Sequence, residues 1–200
     1  MKAVMLSIRP EWCEKIISGK KTVEVRKSRP KLETPFKCYI YCTLSGSNEL
    51  FKETLGGSIA RWNKEKWADK KGKVIGEFVC DEVVYLGNVA TDPWERLMGS
   101  THEAHKQIVT KQARLTEEQL HNYGGKFGWH ISNLVIYDEP RALSDFRISC
   151  KEYDKDYPRC GSCEYYYYES NESVGFYDEC MCDGLKHIQR PPQSWCYVEE

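Results

Sequence analysis

Near the start of the chain, the stretch GKKTVEVRK (Gly19 to Lys27) crowds ionisable side chains into a segment that otherwise alternates like a short strand. Val23 and Val25 fall on one face, and Thr22, Glu24 and Arg26 on the other. A carboxylate and a guanidinium two residues apart on one face neutralise each other and align each other's donors and acceptors. Such a pair can read the edge of a base or hold a phosphate. The same spacing also describes an exposed cross-strand ion pair, worth roughly 0 to 1 kcal/mol. By strict alternation Lys21 belongs with Val23, so it joins Glu24 and Arg26 only if the turn at Gly19 twists the strand entry.

A second group of chemically capable residues lies at the other end. Six of the ten cysteines, Cys150, Cys160, Cys163, Cys180, Cys182 and Cys196, fall in the last 51 residues. Cys160 and Cys163 form a Cys-x-x-Cys, and Cys180 and Cys182 a Cys-x-Cys. Two such pairs supply the four thiolates of a tetrahedral zinc site, with Cys150 as a substitute for Cys180 or Cys182. The intervening segment is acidic and tyrosine-rich with few aliphatic residues, so a metal would replace the core it lacks. A redox disulfide or unligated thiols are the alternatives. Cys13, Cys38, Cys42 and Cys80 sit singly in apolar stretches and read as small buried hydrophobes. His102 and His105 flank Glu103, a spacing more typical of a solvated helix than of a metal pair, and Glu77 is a spare acid on a strand.

These groups need elements to hold them. AVMLSI (Ala3 to Ile8) reads as a buried strand. Pro10 opens a helix whose apolar stripe is Trp12, Cys13, Ile16 and Ile17, and Gly19 stops it. The charged strand follows, then FKCYIYCT (Phe36 to Thr43), rich in aromatic and β-branched residues. Residues 45–72 form a polar, glycine-punctuated insertion. KVIGEFVCDEVVYLG reads as one long strand with a bulge or bend at Gly76, and KFGWHISNLVIYDEPRAL as another that ends before Pro140. Helices are expected at DPWERLM and at LTEEQLHNY, the latter capped by Thr116, and a last strand at QSWCYVEE. The order predicts an α+β fold built on a small, mostly antiparallel β-barrel with short flanking helices.

At 200 residues the chain suffices for one domain with an appendage, and it contains no apolar run long enough to cross a membrane. Its first residues lack a signal-peptide pattern, so a soluble, cytoplasmic protein is expected. The net charge of −1 hides an asymmetry. Residues 1–150 carry 24 Lys+Arg against 19 Asp+Glu, a balance of +5, whereas residues 151–200 carry 5 against 11, a balance of −6. A moderately basic body attracts phosphate; an acidic tail does not.

The run MLSIRPEWCEKIISGKKTVEVRK resembles the ASCH family, whose barrel is similar to the PUA domains of RNA-modifying proteins. The family signature falls on Gly19, Lys21, Glu24 and Arg26, preceded by Ser-x-x-Pro at Ser7 and Pro10. GKFGWHISNLVIYDEPRAL resembles the family's closing strands, and RPPQSWCYVEE the ends of phage- and prophage-associated members. The resemblance implies a PUA-like barrel over residues 1–148, with the insertion at 45–72, and a final strand at 190–200 that returns to the barrel; the cysteine spacing adds a cysteine-rich zinc module over 149–189 between them. It further implies binding of RNA, single-stranded nucleic acid or a modified nucleoside in a cleft lined by Ser7, Lys21, Glu24, Arg26 and Trp129. Trp129 either stacks a base there or fills the barrel core. Some small members of the family are amidohydrolases on acetylated cytidine that use a Lys-Thr-Glu set. Here Lys21 matches the lysine, Glu24 stands in place of the threonine, and no residue takes the third position. An amidohydrolase with Lys21 and Glu24 as catalytic residues, and a protein-interaction module that uses the zinc tail, are the competing functions.

Overall fold

In the computed structural model, residues 2–44, 69–86, 107–116, 118–119, 127–150 and 184–200 are described. Among the described residues ten strands form two sheets, accompanied by α-helical segments and a 3-10 turn at Leu143–Asp145. β1 (Lys2–Ile8) leads into helix α1 (Pro10–Ile17), and β2 (Val23–Arg26) and β3 (Phe36–Cys42) follow. β4 (Lys73–Cys80), β5 (Val83–Tyr85), a helical segment over 107–113, β6 (Phe127–His130) and β7 (Ser132–Arg141) come next. The chain ends with β8 (Arg147–Ser149), β9 (Leu185–His187) and β10 (Trp195–Glu199). Seven strands pair in the order β7-β4-β3-β1-β10-β8-β9, and three in the order β2-β6-β5. Only the β1/β3 ladder is parallel among these pairs; the rest are antiparallel.

The expected α+β class holds, but the sheets do not close into a barrel. No backbone ladder among the described residues joins β2 to β1 or β10. The gap is spanned instead by the side chain of Arg26, which donates to Ser7 O and Ser194 O. The two longest strand signals prove to be two strands each. β4 pairs with β3 and β7 in the large sheet, and the chain turns at Asp81–Glu82 so that β5 pairs with β6 in the small one. β6 and β7 divide at Ile131 in the same way. Pro140 does not end β7 but lies within it. β7 is an edge strand, where a missing N–H costs no ladder bond.

The alternation of each strand distributes the apolar side chains into three packed clusters. Val4, Leu6, Ile8, Cys38, Ile40 and Phe78 point to one side of the large sheet and pack with Cys13, Ile16 and Trp129. Met5, Tyr39, Tyr41, Val74 and Val198 point to the other and pack with Phe146 and Ile188. Val23 and Val25 lie with Leu86, Val109 and Ala113. Each fully buried aliphatic side chain contributes about 1.5–3 kcal/mol. Cys13, Cys38, Cys42 and Cys80 are all fully buried, as their apolar surroundings predict, and burial pushes the Cys80 thiol up to about 12.

Gly76 does what its position in a strand suggests. Register shifts flank it in the ladders to β3 and β7, and a Cβ there would meet the backbone oxygen of Val135. β8 and β9 carried no strand signal. They form a short antiparallel pair, and just beyond it Cys150 N donates to Gly184 O at 2.7 Å. Cys150 and Gly184 therefore lie side by side at the end of this pair.

Candidate functional site

Lys21 reaches its position because α1 ends abruptly. Ser18 N bonds to Glu14 O and Gly19 N to Ile16 O, with Gly19 at φ +69°, a left-handed conformation that favours glycine at a helix end. Lys21 N then folds back onto Lys15 O at 2.9 Å. β2 starts only at Val23, so strand parity never governs Lys21.

The three ionisable groups meet. Glu24 Oε2 lies 3.4 Å from Lys21 Nζ, and Glu24 Oε1 lies 3.0 Å from Arg26 Nη2. All three residues are buried, at 3% exposure for Lys21, 7% for Glu24 and 4% for Arg26. This excludes the solvated ion pair that the spacing alone allowed. Lys21 Nζ also donates to Ala113 O at 2.8 Å and sits 5.1 Å from the centre of the Trp12 ring. Burial lowers the Lys21 pKa from its usual 10.5, and the Glu24 carboxylate opposes the shift. Removing one partner from such a buried network costs about 3–5 kcal/mol, because the remaining charge stays uncompensated.

Arg26 acts as a staple. Nη2 donates to Ser7 O at 2.9 Å, and Nη1 to Ser194 O at 3.2 Å and Ser194 Oγ at 3.4 Å. It thus ties β2 to β1 and to the segment preceding β10. Ser7 is drawn into the same junction, its hydroxyl donating to Pro192 O at 2.5 Å and its N–H to Ser194 O at 3.0 Å.

Lys21, Glu24 and Arg26 line one wall of an open cavity of about 830 Å³. Ser7, Arg9 and Trp12 contribute from β1, α1 and the turn between them, Pro191 to Gln193 from the segment before β10, and Tyr41, Thr43 and Leu44 from the end of β3. Among the described residues its charged lining comprises three cations, Arg9, Lys21 and Arg26, and one carboxylate, Glu24. The volume lies in the upper part of the range usual for small-molecule sites, about 300–1,000 Å³.

Of the expected ligand-binding residues, Ser7, Lys21, Glu24 and Arg26 are brought together, and Trp129 is not. Trp129 is fully buried, edge-on to Phe36 at 5.6 Å and tilted against Trp195 at 6.0 Å, so neither of its faces is open to a base. Its neighbour His130 pairs with Asp81 at 2.7 Å, which lowers the Asp81 pKa. Glu77 accepts from Tyr137 at 2.6 Å and lies 3.6 Å from Lys37; it does not line the cavity. Ala113, Pro192, Ser194 and Arg9 belong to the site without having been singled out from sequence. The segment RPPQS was a usable signal for two of them, since two prolines before a strand fix the path of the chain.

Among the described residues no group of three or more His, Cys, Asp or Glu is placed to hold a metal. Cys160, Cys163, Cys180 and Cys182 lie outside the described residues, as do His102, Glu103 and His105. Cys150 is half-buried at the exit from β8, and Cys196 sits in β10 with its thiol raised to about 11 by burial. No helix among the described residues is long and apolar enough to span a membrane.

No curated protein matches the chain. Among solved structures it is similar to the ASCH protein of Zymomonas mobilis, with 22% identity over 70% of this chain and 73% of that one, at a TM-score of 0.42. A tyrosine-to-phenylalanine variant of the Zymomonas mobilis protein matches with 22% identity over 72% of this chain and 77% of that one, at a TM-score of 0.43. The ASCH domain model matches residues 6–133, a span that runs from the Leu6–Ser7 end of β1 through the whole of β6 and includes Lys21, Glu24 and Arg26. On that match the chain belongs to the ASCH domain family, a PUA-like type of RNA-binding domain.

Proposed function

We propose that this chain binds RNA, single-stranded nucleic acid or a modified nucleoside in the cavity walled by Lys21, Glu24 and Arg26. The observation that carries the proposal is a fully assembled, buried ion triad that lines an open, net-cationic cavity. Burying three charges is costly, and a protein that needed only stability would do as well with packed apolar side chains. The excess of cations suits a phosphate-bearing ligand, and the carboxylate suits the N–H donors of a base. Trp12, half-buried at the cavity wall, gives a fluorescence signal for the test. Titration with a short single-stranded RNA of mixed sequence should quench or shift the emission and give a salt-dependent affinity. A flat titration at low salt would remove the proposal.

One observation favours the amidohydrolase alternative: the Lys21 pKa is lowered and its ammonium lies 3.4 Å from a carboxylate, an arrangement in which Glu24 serves as base and Lys21 stabilises a developing oxyanion. Glu24 is, however, the only carboxylate among the described cavity-lining residues, and both its oxygens are already held by cations. Acetylated cytidine should therefore be hydrolysed slowly or not at all. Efficient turnover that vanishes in Lys21→Ala would make the enzyme reading the right one. From sequence we further propose that the cysteine-rich segment is a zinc module, and that the chain is a cytoplasmic member of the prophage-associated type.

A further inference from the structure

The triad's hydrogen-bonding capacity is nearly used up, and what remains is of one kind. Lys21 is engaged by Ala113 O, Glu24 and the Trp12 ring. The four terminal N–H groups of Arg26 face Ser7 O, Glu24 Oε1, Ser194 O and Ser194 Oγ, and its Nε is sealed from solvent without a partner. The Ser7 hydroxyl is donated to Pro192 O. Glu24 alone keeps spare capacity, because an ionised carboxylate has about four lone-pair positions and only two are occupied here. Toward a ligand, the triad is therefore an acceptor without donors.

Bases differ in how they meet such a group. Guanine presents two adjacent donors, N1–H and the N2 amino group, which match the two oxygens of one carboxylate. Adenine and cytosine present one amino group beside an unprotonated ring nitrogen. Uracil presents a single N–H between two carbonyl oxygens, each of which would face the carboxylate unfavourably. A buried polar group left unpaired by the wrong base costs the complex its desolvation energy, so the preference should be strong.

A second feature sits at the rim. Arg9 lines the cavity and is exposed; its backbone oxygen accepts from Trp12 and Cys13 N–H, and its guanidinium has no hydrogen-bond or ion-pair partner among the described residues. A guanidinium that no carboxylate among the described residues occupies is suited to bidentate contact with a phosphate. The cavity volume of about 830 Å³ leaves room for more than a base.

We propose that the cavity takes a guanine nucleotide, with the N1–H and N2 amino edge on Glu24 and the phosphate at Arg9; this rests on the nucleic-acid reading above and names its ligand. Either a free nucleotide or one nucleotide of a strand supplies that chemistry.

The test is a Trp fluorescence titration at fixed low salt with guanosine, uridine, GMP, UMP and a uridine tract bearing a single guanosine. Guanosine should bind at least about tenfold more tightly than uridine, as expected for a bidentate base contact. Arg9→Gln should weaken GMP by at least about threefold more than it weakens guanosine, the size of effect expected of one charge-assisted contact at an exposed position. Glu24→Gln, checked for folding by its thermal transition, should erase the preference for guanosine. Tighter binding of the guanosine-bearing strand than of GMP assigns the phosphate to a chain, and the reverse order assigns it to a free nucleotide. Equal affinity for guanosine and uridine in a protein that binds both overturns this inference and leaves the nucleic-acid reading standing. Equal losses of GMP and guanosine in Arg9→Gln remove the phosphate assignment. Failure of every nucleoside, nucleotide and strand to bind overturns both.

Discussion

Arg26 illustrates how far single residues could be read from sequence. Its pairing with Glu24 follows from strand spacing, since residues two apart share a face. That it also holds Ser194, 168 positions away, follows from nothing local. The consequence is that Arg26 cannot be treated as a ligand contact alone. Arg26→Ala should lower stability by about 3–5 kcal/mol, because it leaves Glu24 with one cation fewer, takes the guanidinium donor from Ser7 O, and leaves Ser194 O with the Ser7 N–H alone. Chemical denaturation measures this, and a change under about 1 kcal/mol would mean that the staple is ornamental. Lys21 makes a pH prediction with a definite sign. Its folded pKa lies below 10.5, so between the folded and unfolded values the unfolded chain binds the proton more tightly. The contribution of Lys21 to stability thus rises as pH climbs through that window toward 10.5. Tyr39 and Tyr137, whose phenols are raised by burial and by hydrogen bonds to Glu200 and Glu77, pull the other way in the same range. They cancel when the protein is compared with Lys21→Met. The pH profile of that difference should slope in the direction stated, and a flat difference would show that Lys21 is solvated.

At the scale of elements, β1, α1, β2, β3 and β10 were legible because each combines a matching period with a clear start or stop: Pro10 at the first turn of α1, Gly19 after it, and aromatic or β-branched runs in the strands. The Thr116 cap was legible too, and Thr116 and Gln119 exchange side chain-to-backbone hydrogen bonds. The divisions between β4 and β5 and between β6 and β7 were hidden because period-2 alternation carries on when a chain passes from one sheet to another. β8 and β9 were hidden for a different reason. Three-residue strands containing Arg147, Lys186 and His187 have too little apolar pattern to register. Gly76 supplies the prediction at this level. Gly76→Ala places a methyl group against the Val135 carbonyl and the Ile136 side chain, where the backbone has no room to yield, so a loss of about 1–3 kcal/mol is expected. Denaturation would show it, and a neutral or stabilising effect would mean that β4 and β7 separate easily.

Over the whole molecule, the cavity draws on both ends of the described chain: Ser7, Arg9 and Trp12 from its beginning, and Pro191, Pro192 and Gln193 from its end. β10 inserts between β1 and β8, so the last strand is a central member of the large sheet and the residues just before it are positioned by the ladder. The stretch 151–183 lies outside the described residues. Its flanking residues Cys150 and Gly184 are hydrogen-bonded to each other beside the β8/β9 ladder, so a short turn is long enough to join them. That same stretch carries Cys160, Cys163, Cys180 and Cys182 together with most of the acidic excess of the C-terminal quarter. If four thiolates supply the stabilisation that its scarce aliphatic residues do not, purified protein should contain about one zinc per chain. A variant with Cys150 joined to Gly184 through a two-residue turn should contain none, keep a cooperative thermal transition, and bind nucleotide as the full chain does. Zinc retained in the shortened protein would move the metal elsewhere, to Cys150 or the cavity. Zinc-free full-length protein prepared under reducing conditions would remove the metal proposal, and loss of nucleotide binding with folding intact would show that the cysteine-rich stretch itself reaches the ligand.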